Sequence, residues 1–286
     1  MFKKSFSFDN GKDSSKDKKI SSDKLVKKRI LSDKPIESTG ITESIKPIGI
    51  IEPDKNLKLL KIAKDKYGLI FKDFPDNIND IIQKRKLNSN KFWYMTNFSG
   101  FFNEINKGTN VIDYDPRLVI PFKYYKRKTV YALQGRSIFT FQETKYLTIL
   151  LDETYLKLYN YYNINKNKNI KILEGPIDSM FFENSIALAG AQINEDILKE
   201  LKNLDCTFIY DNDFIYNDNI RNQTEKMIKL GFKVYIPSEE YIQYKDINDL
   251  VVGKNLTIQE VNEIIDNNSF SGLQAKVKLS IVLANH

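Results

Sequence analysis

Ile170-Lys-Ile-Leu-Glu-Gly-Pro-Ile-Asp178 opens as a short hydrophobic strand and is halted by Glu-Gly-Pro. Gly175-Pro176 forces a sharp turn, and proline suits the first turn of a following helix, so the Glu174 carboxylate is held at a sheet edge by backbone geometry. Asp178 then falls near the helix N-terminus, where the positive end of the helix dipole favours its ionised form. Two later stretches, Phe208-Ile-Tyr-Asp-Asn-Asp213 and Lys245-Asp-Ile-Asn-Asp249, repeat the arrangement of a hydrophobic strand or turn ending in carboxylates. Acids gathered this way at one sheet edge repel one another unless divalent cations bind between them. Magnesium and phosphate chemistry is the expectation.

Around these stretches the pattern alternates. Strands are expected at about 170–173, 186–189, 206–210 and 233–236, with helices at about 177–183, 195–203 and 218–230, Asn194 as an N-cap and Gly231 just past a helix end. Strands joined by helical crossovers make a largely parallel sheet with its site at the strands' carboxyl ends. Asp211 and Asp213, spaced i, i+2 after a strand, fall on one face if the chain stays extended, roughly 6–7 Å apart. Asp246, Asn248 and Asp249 add up to three oxygen ligands; a turn with Asp249 capping a helix is the structural alternative. Thr257-Ile-Gln-Glu260 fits a capping box opening a helix to about Asp266.

Upstream, Asn163-Ile-Asn-Lys-Asn-Lys-Asn169 reads as a linker, before which the pattern is strand-rich and basic. Arg117-Leu-Val-Ile-Pro-Phe122, Thr129-Val-Tyr-Ala-Leu-Gln134 and Lys145-Tyr-Leu-Thr-Ile-Leu-Leu151 are expected strands, the first two joined by the basic loop Lys123–Lys128. Gly135 permits a positive φ or a close backbone approach and leaves Arg136 projecting at a strand end. Lys91-Phe-Trp-Tyr-Met-Thr-Asn-Phe98 is an aromatic cluster read as core rather than as a platform for bases. Short amphipathic helices are expected over 57–63 and 77–87. Residues 1–56 read as a disordered leader. Its first thirty residues hold ten Lys or Arg against four Asp, six of the formal net charge of +7. It is a solvated tether or a basic arm for nucleic acid.

A single cysteine, Cys206, sits in an apolar run, so no disulfide framework is possible and a reducing compartment is expected. One histidine and one cysteine exclude a Cys/His zinc site built by this chain alone. No apolar run approaches membrane-spanning length, so no membrane partner is expected.

In this order and spacing the acidic motifs resemble the Toprim domain of bacterial-type DNA primases, topoisomerases and related nucleases. Glu174-Gly175 with Asp178 looks like its first motif and Asp211-Asn-Asp213 like its Asp-x-Asp motif. Arg117-Leu-Val-Ile-Pro-Phe, Gln134-Gly-Arg136 and Lys145-Tyr-Leu resemble the basic strands of the primase polymerase core. The wording Glu174-Gly-Pro-Ile-Asp-Ser-Met-Phe and Lys245-Asp-Ile-Asn-Asp-Leu is most similar to primases of T-even-type tailed phages. The resemblance covers about residues 75 to 275.

It implies an α/β fold: a leader (1–56), a mixed α+β polymerase-core subdomain (57–165), a Toprim domain with a mostly parallel sheet (166–254) and a C-terminal helical segment and tail (255–286). It implies a primase, a nucleotidyltransferase that makes short RNA primers on a single-stranded DNA template from ribonucleoside triphosphates, with a replicative helicase as partner. The expected place is the cytoplasm of an infected bacterial host. Glu174, Asp211 and Asp213 would hold Mg2+, or Mn2+ in its place, supported by Asp178, Asp246 and Asp249, while Arg117, Arg136 and Lys145 would hold template and nucleotide. Two departures stand out. Asn248 replaces an Asp common in bacterial-type primases, and there is no cysteine set for the family's zinc ribbon, so choice of the initiation site would come from another chain, from the leader, or not at all. The alternatives are a primase-derived accessory DNA-binding subunit and a Toprim nuclease or topoisomerase-like enzyme.

Overall fold

The structure is a computed structural model; it describes residues 55–286 except 113–115, 140–143, 191–192 and 194. The leader expected over 1–56 lies almost wholly outside the described residues, as does the expected cap at Asn194. Residues 51–286 form one compact unit.

Its first half is an antiparallel meander of β1 (Leu69–Ile70), β2 (Trp93–Met95), β3 (Arg117–Tyr124), β4 (Thr129–Ser137) and β5 (Tyr146–Leu150), paired in that order. Helices α1 (Lys55–Tyr67), α2 (Asp76–Lys84) and α3 (Phe98–Ile105) cover it. Both faces are buried. Leu60, Ala63 and Phe101 pack with Val119 and Leu133 on one side, and Ile78 and Ile82 pack with Leu118, Ile120 and Tyr131 on the other. The aromatic cluster at 91–98 is core, as expected: Phe92, Met95 and Phe98 are fully buried.

Gly135 lies inside β4 at an ordinary strand conformation, and the close approach, not a positive φ, explains it. A Cβ there would stand 2.8 Å from ring atoms of the buried Phe98. A buried ring has nowhere to move, so Gly135→Ala is expected to lower stability by about 1–3 kcal/mol in denaturant unfolding.

The second half alternates strand and helix. β6 (Ile170–Leu173) is followed by α4 (Pro176–Ser179), β7 (Ser185–Ala187), α5 (Glu195–Leu201), β8 (Cys206–Ile209), α6 (Asp218–Lys229) and β9 (Lys233–Tyr235). After these come α7 (Ile247–Gly253), α8 (Ile258–Asn267), β10 (Ser269–Phe270) and α9 (Gly272–Asn285). The strand order is β10-β9-β8-β6-β7, with β6 to β9 parallel and β10 antiparallel. The segment expected to lie beyond this domain therefore supplies its edge strand. Thr257 and Glu260 form the expected capping box on α8. Lys171, buried within β6, carries its charge to Asp266 of α8, which explains a lysine in a central strand.

The chain leaves β6 for one neighbour, β7, and returns on the other side as β8. The residues that follow these strands pack on opposite faces: Phe181 and Phe182, in the turn after α4, with α7 and α8, and Ile220, Met227 and Ile228 of α6 with α5 and α9. A crevice opens between the carboxyl ends of two strands whose chains diverge to opposite faces. Glu174 and Asp211 stand at those ends.

Candidate active site

Strands β6 and β8 are in register with Leu173 opposite Ile209, so the residues leaving them emerge side by side. Gly175 caps α4 with Pro176 in its first turn, as the sequence implies, and the Asp211 N–H donates to Glu174 Oε1 at 3.3 Å. Past Asp211 the backbone does not stay extended. Asn212–Ile215 form a 3-10 turn capped by Asp211, which removes the expected one-face placement of Asp211 and Asp213. Asn212 drives that turn: its N–H donates to the Lys245 carbonyl at 2.7 Å and its Nδ2 to the carbonyls of Tyr241 and Tyr244 at 3.2 and 2.7 Å. The second and third acidic stretches are thereby tied together.

Glu174, Asp178, Asp211 and Asp246 line one cavity of about 540 Å³, together with Lys145, Tyr146, Lys157 and Lys245. Asp246 caps α7, accepting from Asp249 N at 2.7 Å, and Asp178 Oδ1 accepts from Asn248 N at 2.9 Å. Asp213 is not among the residues lining it; Lys245 Nζ approaches its Oδ2 at 3.5 Å, and its buried Oδ1 has no hydrogen-bond partner among the described residues. Asp249 is exposed and accepts Lys245 N at 3.1 Å, away from the cavity.

Crowding acids in a recess resists their ionisation. Burial, then repulsion from Glu174 and the other acids, pushes the Asp211 carboxyl up to about 8. Burial and Asp246 push Asp178 up to about 7, and burial with Asp213 nearby raises Glu174. The Asp213 carboxylate holds the Lys245 ammonium above its ordinary value.

The basic residues divide. Arg136 donates to Tyr146 Oη at 3.0 Å with its guanidinium 5.5 Å from that ring, and Lys145 lies over the same ring. Burial and the neighbouring Arg136 and Lys245 depress the Lys145 pKa. Arg117 is elsewhere. Fully buried, its guanidinium donates to the carbonyls of Gly135 and Thr144 at 3.2 and 3.0 Å, so it braces the backbone carrying Arg136 and Lys145 and offers no surface to a template. Tyr146 was visible only as the neighbour of Lys145, and Lys157 left no signal in the sequence.

A divalent cation suits this donor set chemically, since Glu174, Asp178, Asp211 and Asp246 bring carboxylate oxygens into one recess where their mutual repulsion resists ionisation. Among the described residues no three His, Cys, Asp or Glu side chains converge as a ready cage. Magnesium keeps several waters and takes phosphate oxygens, so an open set of acids fits it better than an enclosed one.

No family model matches the chain. Over 191 residues it is 31% identical to the DNA primase of Enterobacteria phage T4, covering 66% of this chain and 54% of that protein. The chain thus spans about half the length of the curated relative it matches. The RNA polymerase domain of Mycobacterium tuberculosis primase DnaG is similar with a TM-score of 0.50 at 15% identity, over 74% of this chain and 81% of that one. The same domain in complex with double-stranded DNA is similar to the same degree, TM-score 0.50 at 15% identity over 74% of this chain and 78% of that one. At that identity the likeness speaks for the fold. No helix among the described residues is long and apolar enough to cross a membrane. The chain is a sequence relative of a phage DNA primase, built on the fold of a primase RNA polymerase domain.

Proposed function

We propose that the chain is the catalytic core of a DNA primase, joining ribonucleotides into short primers on a single-stranded DNA template. One observation carries the reading: the acids at the ends of β6 and β8 and the basic residues around β5 line the same cavity, so a triphosphate held by one wall meets the other. In this reading residues 57–165 present the template and 166–254 act as the Toprim domain. A replicative helicase is the proposed partner, placing the chain in the cytoplasm of an infected host.

Glu174 and Asp211, which line the cavity, would hold Mg2+ or Mn2+, with Asp178 and Asp246 supporting through waters; Asp213 and Asp249 lie outside the lining and would act at longer range, Asp213 through its contact with Lys245. Bound there, divalent cations supply Lewis acidity that lowers the pKa of the attacking 3′-hydroxyl and neutralises phosphate charge. The chain's own residues orient. Lys145 and Lys157 meet the triphosphate's negative charge, and Tyr146, fixed by its hydrogen bond from Arg136, carries the Lys145 ammonium over its ring and so positions that charge at the cavity wall. Carboxyls crowded closely enough to resist ionising beside one another are an arrangement that a doubly charged ion relieves, with protons competing for the same oxygens.

The test is ribonucleotide incorporation on single-stranded DNA with divalent metal, for the wild-type chain and Glu174→Gln. Glu174→Gln preserves shape and the acceptor for Asp211 N while removing charge, and is expected to lower incorporation by about 10²-fold. Nicking of supercoiled DNA with no ribonucleotide incorporation would overturn the reading in favour of a cleaving enzyme. Tight DNA binding with no synthesis, helicase included, would favour an accessory subunit.

A further inference from the structure

Helix α2 ends against the acid edge, and the residues that end it reach both ends of α7. Arg85, its C-terminal cap, donates from Nη1 to Asn248 Oδ1 at 2.7 Å, and Asn248 Nδ2 donates back to the Arg85 carbonyl at 2.8 Å. Lys86, in the left-handed conformation with φ 54°, bonds through Nζ to Asn255 Oδ1 just past α7. Leu87 then packs against both the core beneath the first sheet and the core under α7 and α8. Helix α7 is therefore grasped at both ends by two consecutive residues of the strand-rich half.

Asn248 is the hinge of this contact. It is 4% exposed, and its amide oxygen, the atom a cation would need, faces a guanidinium that repels one. Its backbone N–H meanwhile orients Asp178, and α7, of which it is the second residue, is capped by Asp246. Any tilt of α7 moves both carboxylates at once.

We propose that Arg85 and Asn248 form a latch that positions Asp178 and Asp246 against the basic wall, and that Asn248 serves the site as a positioning residue and not as a metal ligand. The kinetic part of this inference rests on the priming reading above; the structural part does not. Both bonds are partly buried and one is charge-assisted: Arg85→Ala removes that one and leaves Asn248 Oδ1 without its donor, while Asn248→Ala removes both and leaves the guanidinium without its acceptor, so each variant frees α7 from the end of α2. A displacement of the acids by even 1 Å is enough to lower turnover by one to two orders of magnitude.

The experiment uses the full chain with Arg85→Ala, Arg85→Lys, Asn248→Ala and the double alanine variant. Three quantities are read: the denaturant midpoint, Mn2+ binding by electron paramagnetic resonance, and kcat and KM for the ribonucleoside triphosphate. Each single alanine variant is expected to lower kcat about tenfold with KM within about twofold, and the double variant to be no worse than Asn248→Ala. Arg85→Lys, which keeps a donor, should recover kcat to within about threefold of wild type. Mn2+ affinity should change equally, and by less than about threefold, in both single variants.

Additive losses, reaching about 100-fold in the double variant, would overturn the latch. So would Asn248→Ala alone weakening Mn2+ binding tenfold or more while Arg85→Ala leaves it intact, since that marks Asn248 as a ligand. Should the wild-type chain make no primers, the priming reading fails and the latch is decided by the other two measurements. Matching, non-additive shifts of the denaturant midpoint uphold it, and independent shifts remove it.

Discussion

In the proposed priming reaction, Asp211→Asn is expected to reduce synthesis by on the order of 10²–10³-fold while leaving the fold intact. The substitution keeps the volume of the side chain, and the contact that sets the geometry here is made by the backbone: Asp211 N donates to Glu174 Oε1 at 3.3 Å in either variant. What disappears is a charge in the most acid-crowded place in the cavity, where Glu174, Asp178, Asp246 and Asp213 all act on it. An amide oxygen ligates a divalent cation far more weakly than a carboxylate, and it cannot offset charge on a triphosphate-bound ion. The measurement is primer yield per unit time at saturating Mg2+, with circular dichroism to confirm folding. Asp211→Asn retaining more than one-tenth of wild-type turnover would remove this residue from the metal site. A partial rescue by Mn2+, which binds nitrogen and neutral oxygen donors more readily, would point to weakened ligation as the defect.

The acid edge was legible because its signals are local. Ile170-Lys-Ile-Leu173, three apolar residues and one lysine, followed by Glu-Gly-Pro states a strand, a turn and a helix start in nine positions, and the structure has β6, Gly175 as cap and Pro176 in the first turn of α4. The one-face placement of Asp211 and Asp213 holds only if the strand continues past Ile209 as a strand. Nothing within the stretch reveals that Asn212 bonds to carbonyls of Tyr241 and Tyr244 about thirty residues later and folds the chain into a 3-10 turn.

Arg117 misled for a related reason. In a sheet covered on both faces, strand residues are buried whichever way they point, so the alternation that separates inside from outside is missing; six successive residues of β3 are buried. An arginine there must satisfy its donors internally, and it does so on the carbonyls of Gly135, Thr144 and Lys145. Arg85 and Lys157 could not be found at all, since each reaches the site from a segment with no motif of its own. Strand β10, two residues long, carries no period to detect.

Lowering the pH from 8 to 5 raises the melting temperature of the chain kept free of divalent cations. The direction follows from the folded carboxyls: Asp178 is pushed up to about 7 and Asp211 to about 8, against roughly 3.9 for an unfolded Asp. Between about pH 4 and those values the unfolded chain has released protons that the folded chain still holds, so stability falls as pH rises through this window and levels off above it. The positive groups that face these acids, Arg136 near Asp178 and Lys245 near Asp213, reduce the effect without reversing it. Asp211→Asn, which has no proton to lose at that position, should melt higher than wild type at pH 8 and show a shallower profile. The substitution that removes activity thus adds stability, as expected where a site holds charges in an arrangement the fold alone disfavours. Millimolar Mg2+ should work against the trend. A ligand at about 100 times its dissociation constant adds about 2.7 kcal/mol, or about 5–10 °C for a domain of this size. That gain belongs at pH 8 and should shrink toward pH 5, where protons compete for the same oxygens. Scanning calorimetry at both pH values, with chelator and with Mg2+, reads all of these quantities. A melting temperature in chelator that climbs from pH 5 to pH 8 would mean that the acids are not forced together in solution, and the shared cavity that carries the priming reading would lose its electrostatic basis.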